Sequence, residues 1–159
     1  MILVTVGMHN APFDRLVRAA DEMASLIEEP VVIQRGVSRY TPMFGQYVDF
    51  TGEVQMQAWM SQVRAVVSHA GAGSILSALK AGKPLVLVPR LRRFGEHVDD
   101  HQLELAEALA QRKKAVIVLE PSAGALQEAV AQANELARTR TVSNSLQAAL
   151  RAWLAEQAR

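Results

Sequence analysis

The residues best suited to chemistry lie between two apolar runs in the middle of the chain. Residues 69–74, His-Ala-Gly-Ala-Gly-Ser, follow an apolar run over 65–67 and precede a helical pattern. Gly71 and Gly73 carry no side chains, so backbone N–H groups can approach a ligand there, and Ser74 offers a hydroxyl in the first helical turn. Unpaired amides and the helix dipole favour negative charge at that point. The pattern predicts a phosphate-binding loop.

The same residues also fit a purely structural turn. Glycines pack tightly between a strand and a helix, and Ser74 can cap the helix. His69 favours a ligand, because a hydrogen-bond donor placed just before such a loop is more than a turn requires. A dinucleotide-binding fingerprint fits less well, since Leu76 stands where the third glycine should be and the loop follows a late strand.

Alternating strands and helices are expected to position this loop. Apolar runs predict strands and 3.6-residue periodicity predicts helices. The strands are expected at 2–6, 31–34, 65–67, 85–88 and 115–119, a possible short strand at 47–50, and helices at 13–27, 56–63, 74–82, 98–111, 123–138 and 143–154. This order indicates an α/β fold with a doubly wound, mostly parallel, Rossmann-like sheet, and we expect residues 1–159 to form a single domain.

All four histidines are expected at one edge of that sheet. His9, His69, His97 and His101 each follow a predicted strand, and ligands of such folds bind beyond the carboxyl ends of the strands. Loops collect polar residues in any case, which accounts for part of this clustering.

His97 and His101 are spaced as a metal-binding pair on a helix would be. A third ligand from His69 or His9 would complete a zinc site and make the chain a metal hydrolase. The zinc-peptidase glutamate is absent between them, and Asp99 and Asp100 are equally explained as first-turn charges at a helix N-terminus. We therefore expect no metal.

Composition excludes several function classes. The formal net charge is +1 and no basic-aromatic stripe appears, so a nucleic-acid partner is not expected. The sequence contains no cysteine, which excludes thiol catalysis and disulfides. No apolar run reaches the length of a membrane span, and the first residues lack the pattern of a signal peptide. Membrane contact is expected to be peripheral or through a partner.

Three separated motifs carry a resemblance to a known family. They are residues 69–74, the Gly-Lys-Pro-Leu-Val-Leu-Val-Pro stretch at 82–89, and Asp100-His101-Gln102. Together they resemble the C-terminal, donor-binding domain of glycosyltransferase family 28. The start of the chain and residues 95–105 are also similar to the PssE-type small subunits of bacterial two-component exopolysaccharide glycosyltransferases. These in turn resemble the soluble subunit of the eukaryotic transferase that adds the second N-acetylglucosamine to lipid-linked oligosaccharide.

The resemblance implies the donor half of a two-domain GT-B glycosyltransferase that holds a UDP-sugar. By resemblance, the diphosphate lies against His69, Gly71, Ala72, Gly73 and Ser74. The uracil faces the backbone around Glu53 and Val54, and the donor sugar lies near Asp100, His101 and Gln102. Family members often carry a carboxylate on the ribose three residues after the motif serine, where this chain has Ser77. Leu105 likewise replaces a residue that is a polar sugar contact in some relatives.

The basic loop after residue 89 bears on the identity of the sugar. Arg90, Arg92 and Arg93 suit an acidic sugar such as glucuronate, because guanidinium pairs well with carboxylate. Lipid headgroups, a partner or water are equally good partners for these side chains.

The missing acceptor half bears on mechanism. An inverting transferase needs a base within reach of the acceptor hydroxyl, and His9 is the candidate in this chain unless the partner supplies the base. The resemblance implies a membrane-anchored acceptor-binding subunit, a polyprenyl-linked saccharide acceptor, and a cytoplasmic chain recruited to the inner face of the cell membrane. No cofactor is expected beyond the UDP-sugar. Ser77 and the lack of an evident base leave open a non-enzymatic sensing or scaffold subunit.

Overall fold

Short buried strands and amphipathic helices alternate along the chain, as the hydrophobic pattern predicts. The computed structural model describes residues 1–140. The elements in chain order are β1 (Ile2–Thr5), α1 (Asp14–Leu26), β2 (Val31–Gln34), β3 (Gln46–Val48), α2 (Glu53–Gln62), β4 (Ala65–Ser68), α3 (Ala72–Lys80), β5 (Leu85–Leu87), a 3-10 turn (Arg92–Phe94), α4 (His101–Gln111), β6 (Val116–Ile117) and α5 (Ala123–Arg140).

Within residues 1–140 the strands form one six-stranded parallel sheet in the order β3-β2-β1-β4-β5-β6. The chain winds outward from β1 to β3, returns to the centre at β4, and winds outward again to β6. Thr5, Gln34 and Ser68 lie level with one another at the carboxyl ends of the three central strands. The predicted doubly wound parallel fold is confirmed, and its ligand crevice is expected between β1 and β4, where the winding reverses.

Both faces of the sheet are covered by helices. Ile2 and Val4 point to a core shared with α1 and α5, whereas Leu3 points to a core shared with α2, α3 and α4. This alternation follows from the two-residue period of a strand. Met60 and the partly buried Trp59 pack into the second core, so the apolar side chains of α2 serve packing.

Several predicted bounds differ from the observed ones. Helix α4 begins at His101 rather than at 98, because residues 98–100 form bends and the Asp99 carboxylate accepts the N–H of His101 at 3.1 Å. Strand β3 lies at Gln46–Val48, slightly earlier than 47–50, and β6 keeps only two residues of 115–119. The predicted helix at 143–154 lies outside the described residues. Within those residues, every helix is too short or too polar to span a bilayer.

A buried carboxylate fixes the long connection between β2 and β3. Asp21 in α1 is fully buried, and its two oxygens accept hydrogen bonds from the Tyr40 hydroxyl and from the backbone N–H groups of Met43, Phe44 and Gly45. Burial raises the pKa of this carboxyl, but the four hydrogen bonds outweigh burial and leave the pKa below its ordinary value. The Asp21 carboxylate therefore holds the second half of the connection, while Asp14 accepts the N–H groups of Arg39 and Tyr40 in its first half.

Replacing Asp21 with asparagine tests this anchor. An amide turns its NH2 group toward N–H donors, so Asp21→Asn should lower the free energy of unfolding by about 3 kcal/mol, measured by urea denaturation. Glu22→Gln, at the exposed neighbouring position, should change it by less than about 0.5 kcal/mol. Equal effects of the two substitutions would contradict the anchoring role.

Candidate functional site

The loop between β4 and α3 leaves the start of a helix open at the carboxyl edge of the sheet. Gly71 is the N-cap residue, and no side chain within residues 1–140 caps the helix. The first intrahelical bond runs from Ile75 N–H to the Gly71 carbonyl at 3.1 Å. The N–H groups of Ala72, Gly73 and Ser74 therefore precede the hydrogen-bonded ladder. Ala72 and Gly73 are exposed and Ser74 is half-buried, so this helix start is accessible to an anion.

The two glycines of the loop have different reasons to be glycine. A Cβ on Gly71 would lie 2.2 Å from Nε2 of His69, whereas a Cβ on Gly73 would meet no described atom within 4 Å. Gly71 therefore makes room for the imidazole. Gly73 is not required by packing within residues 1–140, and open space lies beside it at the exposed helix start.

The imidazole of His69 is held between two glycines from different loops. A Cβ on Gly7 would lie 2.4 Å from Nε2 of His69, and Gly7 has a left-handed φ of 75° that disfavours other residues. His69 is 8% exposed. Burial, and then the positive charge of Arg90, lower its pKa to about 4. A histidine can bind an anion either as a cation or as a neutral hydrogen-bond donor. Because its pKa is about 4, His69 is neutral at physiological pH and can act only as a donor.

His9 lies beside His97 at the same edge. The two ring centres are 4.9 Å apart, and Nδ1 of His9 accepts the N–H of Ala11 at 3.1 Å. Burial, Arg90 and His97 lower the pKa of His9, in that order of importance. Because Nδ1 of neutral His9 accepts a hydrogen bond, its proton lies on Nε2. Neutral His9 is therefore a hydrogen-bond donor through Nε2, and its role as base stays a prediction.

Arg90 differs most from its prediction. Instead of lying on an exposed loop, its side chain is fully buried. Nη2 donates to the Val6 carbonyl at 2.8 Å, and Nη1 donates to the carbonyls of Ala11 and Glu96 at 2.9 and 3.3 Å. The guanidinium carbon lies 4.7 Å from the centre of the Phe13 ring. The prediction that Arg90 contacts an acidic sugar is wrong, because the loops after β1 and β5 enclose the group.

Arg15 binds the carboxylate of Glu96, the residue before His97. Arg15 donates from Nε and Nη2 to the two carboxylate oxygens of Glu96, at 2.6 and 3.0 Å. The same guanidinium donates to the carbonyls of Pro89 and Leu119, both at 2.7 Å. Glu96 also accepts the N–H of Leu91 at 3.0 Å and is 5% exposed. The loop after β5 is thereby fixed by buried charge-assisted bonds.

The Asp-His-Gln motif divides into an interior and an exposed part. Gln102 is 9% exposed, and its Oε1 accepts the backbone N–H groups of Ala70 and Arg90 at 3.2 and 3.1 Å. It thus ties the ends of β4 and β5 together. Asp100 accepts the N–H of Arg92 at 2.9 Å, and the exposed His101 contacts Glu104 at 3.2 Å. Only Gln102 is built into the edge that carries His69.

Three predicted residues make no contact with this edge in the described part of the chain. The Ser77 hydroxyl donates to the Gly73 carbonyl at 3.0 Å, within its own helix. Glu53 and Val54 lie in the first turn of α2 and are exposed, Val54 by 83%. They stand at an open helix start and are accessible to a ligand.

His97 and His101 do not have the helical spacing on which the alternative of a zinc site depended. His97 precedes α4, so it is not one helical turn from His101, and its Nδ1 lies 3.0 Å from the Asp99 carboxylate. Among residues 1–140, no three His, Asp or Glu side chains are grouped as metal ligands would be.

Several residues of this edge were not predicted from the sequence. Gly7, Arg15 and Glu96 were given no role in the site, and His97 was considered only as a metal ligand. Two features of the sequence are weak indications of these residues. One is a glycine directly after a buried strand, and the other is the Gly-Glu-His sequence at 95–97 in an otherwise basic loop.

Substitution at Gly71 tests the enclosure of His69. Its backbone φ is −85°, so alanine strains nothing but the imidazole contact. Gly71→Ala should cost about 2 kcal/mol in urea unfolding. In a His69→Ala background the added cost should fall close to zero, and additive costs would contradict the contact.

Acid titration tests the neutrality of His69. A folded pKa of about 4 against 6.5 means that the stabilisation is complete above pH 6.5 and is lost as the pH falls toward 4. The shift corresponds to about 3 kcal/mol. His69→Asn should flatten this part of the stability profile in urea unfolding, whereas His101→Gln should leave the acid loss in place. An unchanged profile in His69→Asn would contradict the assignment.

Comparison with known proteins gives this edge a family context. The family profile described as glycosyltransferase family 28 C-terminal domain matches residues 1–154. The chain is 34% identical over 117 residues to the mouse UDP-N-acetylglucosamine transferase subunit ALG13. That alignment covers 67% of this chain and 10% of the mouse protein, so the chain spans about a tenth of that relative.

Solved structures share the fold. The glycotransferase of kitacinnamycin superimposes with a TM-score of 0.67 at 21% identity, over 86% of this chain and 36% of that structure. The calicheamicin glycosyltransferase CalG4 superimposes with a TM-score of 0.63 at 20% identity, over 99% of this chain and 44% of that structure. Since the profile spans nearly the whole sequence, the chain belongs to the glycosyltransferase family 28 C-terminal domain family.

Proposed function

We propose that this chain is the UDP-sugar-binding subunit of a two-component glycosyltransferase. The observation that carries the proposal is the meeting of the open start of α3 with the buried neutral His69 at the β1–β4 crevice. Both features suit a diphosphate, since helix-start amides and neutral imidazoles donate hydrogen bonds to anionic oxygens. The relative named as a UDP-N-acetylglucosamine transferase subunit supports the same class of donor.

The reaction requires stabilisation of a leaving diphosphate. Negative charge grows on UDP as the bond to the sugar breaks, and fixed donors aimed at that charge lower the barrier. The amides of Ala72, Gly73 and Ser74 and the neutral His9 and His69 are such donors. The buried cation of Arg90 adds a favourable potential beneath them. We infer that no metal is needed for this step.

The acceptor half is inferred to come from a partner. The support for this inference is the mouse relative, which is named as a subunit of its transferase. A membrane-anchored acceptor-binding subunit would complete the crevice, present a polyprenyl-linked saccharide, and recruit this chain to the cytoplasmic face of the membrane. Synthesis of an exopolysaccharide, as in PssE-type systems, is the role we propose for the complex.

The choice of donor sugar is narrowed by the burial of Arg90. Only Arg92 and Arg93 of the basic loop remain exposed, which weakens the case for glucuronate. Glucose or N-acetylglucosamine therefore becomes the better candidate, and the name of the mouse relative favours the latter. The Gln102 amide and the exposed His101 are the residues proposed to face the sugar.

Calorimetric titration of the isolated chain tests the donor-binding proposal. UDP, UDP-glucose, UDP-glucuronate and UDP-N-acetylglucosamine should be compared with and without EDTA. We expect binding that survives EDTA and prefers one sugar. Absence of UDP binding by the chain, alone and with its partner, would contradict the proposal.

The Gly73→Ala variant tests whether the start of α3 binds UDP, and Gly124→Ala is its matched control. Both glycines are the second residue of a helix, and an added Cβ at either position meets no described atom within 4 Å. Both variants should fold with unchanged or slightly higher stability, since alanine is the better helix former. Gly73→Ala should weaken UDP binding about tenfold or more, whereas Gly124→Ala should leave it unchanged.

A further inference from the structure

The amino edge of the sheet, opposite the crevice, carries a concentration of basic side chains beneath β4, β5 and β6. The members of this basic face are Arg64, Lys80, Lys83, Arg112, Lys113, Lys114, Arg138 and Arg140. We propose that the basic face is a docking surface for an anionic lipid bilayer and holds the chain on the membrane by direct contact. This inference goes beyond the proposed function, because it concerns the edge of the domain that lies opposite the proposed donor site.

The parallel topology collects three of these residues, because all strands start at the same edge. Arg64, Lys83 and Lys114 lie one or two residues before β4, β5 and β6. The register of β4 with β5 places Lys83 level with Arg64, and the register of β5 with β6 places Lys114 one residue further along. Neighbouring strands are about 5 Å apart, so the three positions form a short row.

The ends of three helices add the remaining cations. Helices α3, α4 and α5 run back from the carboxyl edge and reach the amino edge at their last residues. The exposed members of the basic face are Arg64, Lys80, Arg112, Lys113 and Arg138. Because the whole face is only a few strand spacings wide, its charges lie within about one or two Debye lengths of one another and act together on a large anion.

Carboxylates balance only part of this charge. Glu29 accepts hydrogen bonds from Nε of Arg64 at 2.8 and 3.0 Å, and Glu135 accepts Nη1 of Arg138 at 2.8 Å. Glu28 precedes β2, on the other half of the same edge. The eight cations greatly outnumber these carboxylates, whereas the net charge of the whole chain is only +1. Positive charge is therefore concentrated at this edge.

The cations of different elements also crowd one another. Burial, and then the positive charge of Arg140, lower the pKa of Lys114. The charge that repels Lys114 comes from the end of α5, although the two residues are far apart in sequence. An anion bound at this face would relieve that repulsion.

The alternative explanation is that the cations serve the helices. Helices α2, α3 and α4 end at this edge, and each helix end carries about half a negative charge. Lys83 has this role, since its Nζ donates to the carbonyls of Ser61 and Val63 at the end of α2, at 3.2 and 2.8 Å. Three helix ends amount to about 1.5 negative charges, which is far fewer than the cations present.

The chemistry of the face favours a bilayer over a protein or a nucleic acid. The exposed large hydrophobic side chains of residues 1–140 lie elsewhere, in loops after strands, around β3, at the start of α2 and at the end of α1. Protein interfaces have an apolar or aromatic centre, and single-stranded nucleic acids need aromatic side chains for stacking. The cations also come from several loops and helix ends, rather than from one helix or ribbon that could enter a groove of a duplex. Anionic lipid headgroups require only clustered Lys and Arg.

Co-sedimentation with lipid vesicles tests the proposal on the purified full chain. The vesicles are phosphatidylcholine alone, or phosphatidylcholine with about one third phosphatidylglycerol. We expect binding to the anionic vesicles at about 0.05 M sodium chloride, loss of most of it at about 0.5 M, and no binding to phosphatidylcholine alone. Failure to bind anionic vesicles at low salt, or equal binding to both kinds of vesicle, would overturn the proposal.

A pair of double variants separates this face from net charge. Lys80→Glu with Lys113→Glu reverses two exposed cations of the basic face, and Arg18→Glu with Arg39→Glu reverses two exposed cations elsewhere. Both double variants change the net charge equally, and circular dichroism checks that both are folded. The first should weaken vesicle binding about tenfold or more, whereas the second should weaken it less than about threefold. Equal losses would overturn the assignment to the basic face.

A competition experiment separates the bilayer from a duplex. Added random-sequence DNA duplex, at a phosphate concentration equal to that of the exposed phosphatidylglycerol, should leave most of the chain on the vesicles. Displacement of the chain into the supernatant as a DNA complex would overturn the choice of a bilayer as the partner. The assay contains no nucleotide-sugar, so its outcome is independent of the UDP titration that tests the proposed function.

Discussion

The buried guanidinium of Arg90 is the interaction on which the arrangement of the crevice depends. A cation in the interior is costly unless its donors are occupied. Here the carbonyls of Val6, Ala11 and Glu96 accept hydrogen bonds from the two terminal nitrogens, and the Phe13 ring centre lies 4.7 Å from the guanidinium carbon. Nε is buried without a hydrogen-bond partner among the described residues. Because these carbonyls come from the loops after β1 and β5, the cation can be accommodated only when both loops are in place. The stacking of His9 on His97 follows from that closure.

The same cation sets the electrostatics of the edge. The partly exposed Arg15 pairs with the buried Glu96, so the group formed with the buried Arg90 retains one excess positive charge. That charge lowers the pKa values of His9 and His69, after the larger effect of burial. An anion in the crevice therefore meets the positive potential of a buried charge that water screens only weakly. The neutral imidazoles donate hydrogen bonds to the anion without adding positive charges.

Much of this was predictable because it is local. The strands are apolar runs and the helices have a clear period, so the sheet and its winding could be anticipated. Residues 69–74 combine a donor with two glycines in a short space, so an open loop before α3 could be anticipated as well, and its binding of an anion stays a prediction. Arg90 could not be, because its burial is decided by carbonyls about eighty positions earlier in the chain, and a cation after a strand looks like an ordinary surface residue. The start of α4 was misplaced for a similar reason. Asp99 was taken as a first-turn charge, but its side chain accepts the N–H of His101 and pairs with His97, which delays the helix.

The position of the crevice between β1 and β4 has a consequence for how the site forms during folding. Ile2 pairs with Ala65, so the two central strands are far apart in sequence, and their loops meet only after β2, β3 and α2 have been passed. Such distant pairings form late and slowly, because the entropy of closing a long loop must be overcome first. Gly7 and Gly71 can enclose His69 only once that pairing exists. A nascent or partly folded chain therefore has no partial version of this enclosure, because the surroundings of His69 are assembled in the same step that pairs the two central strands.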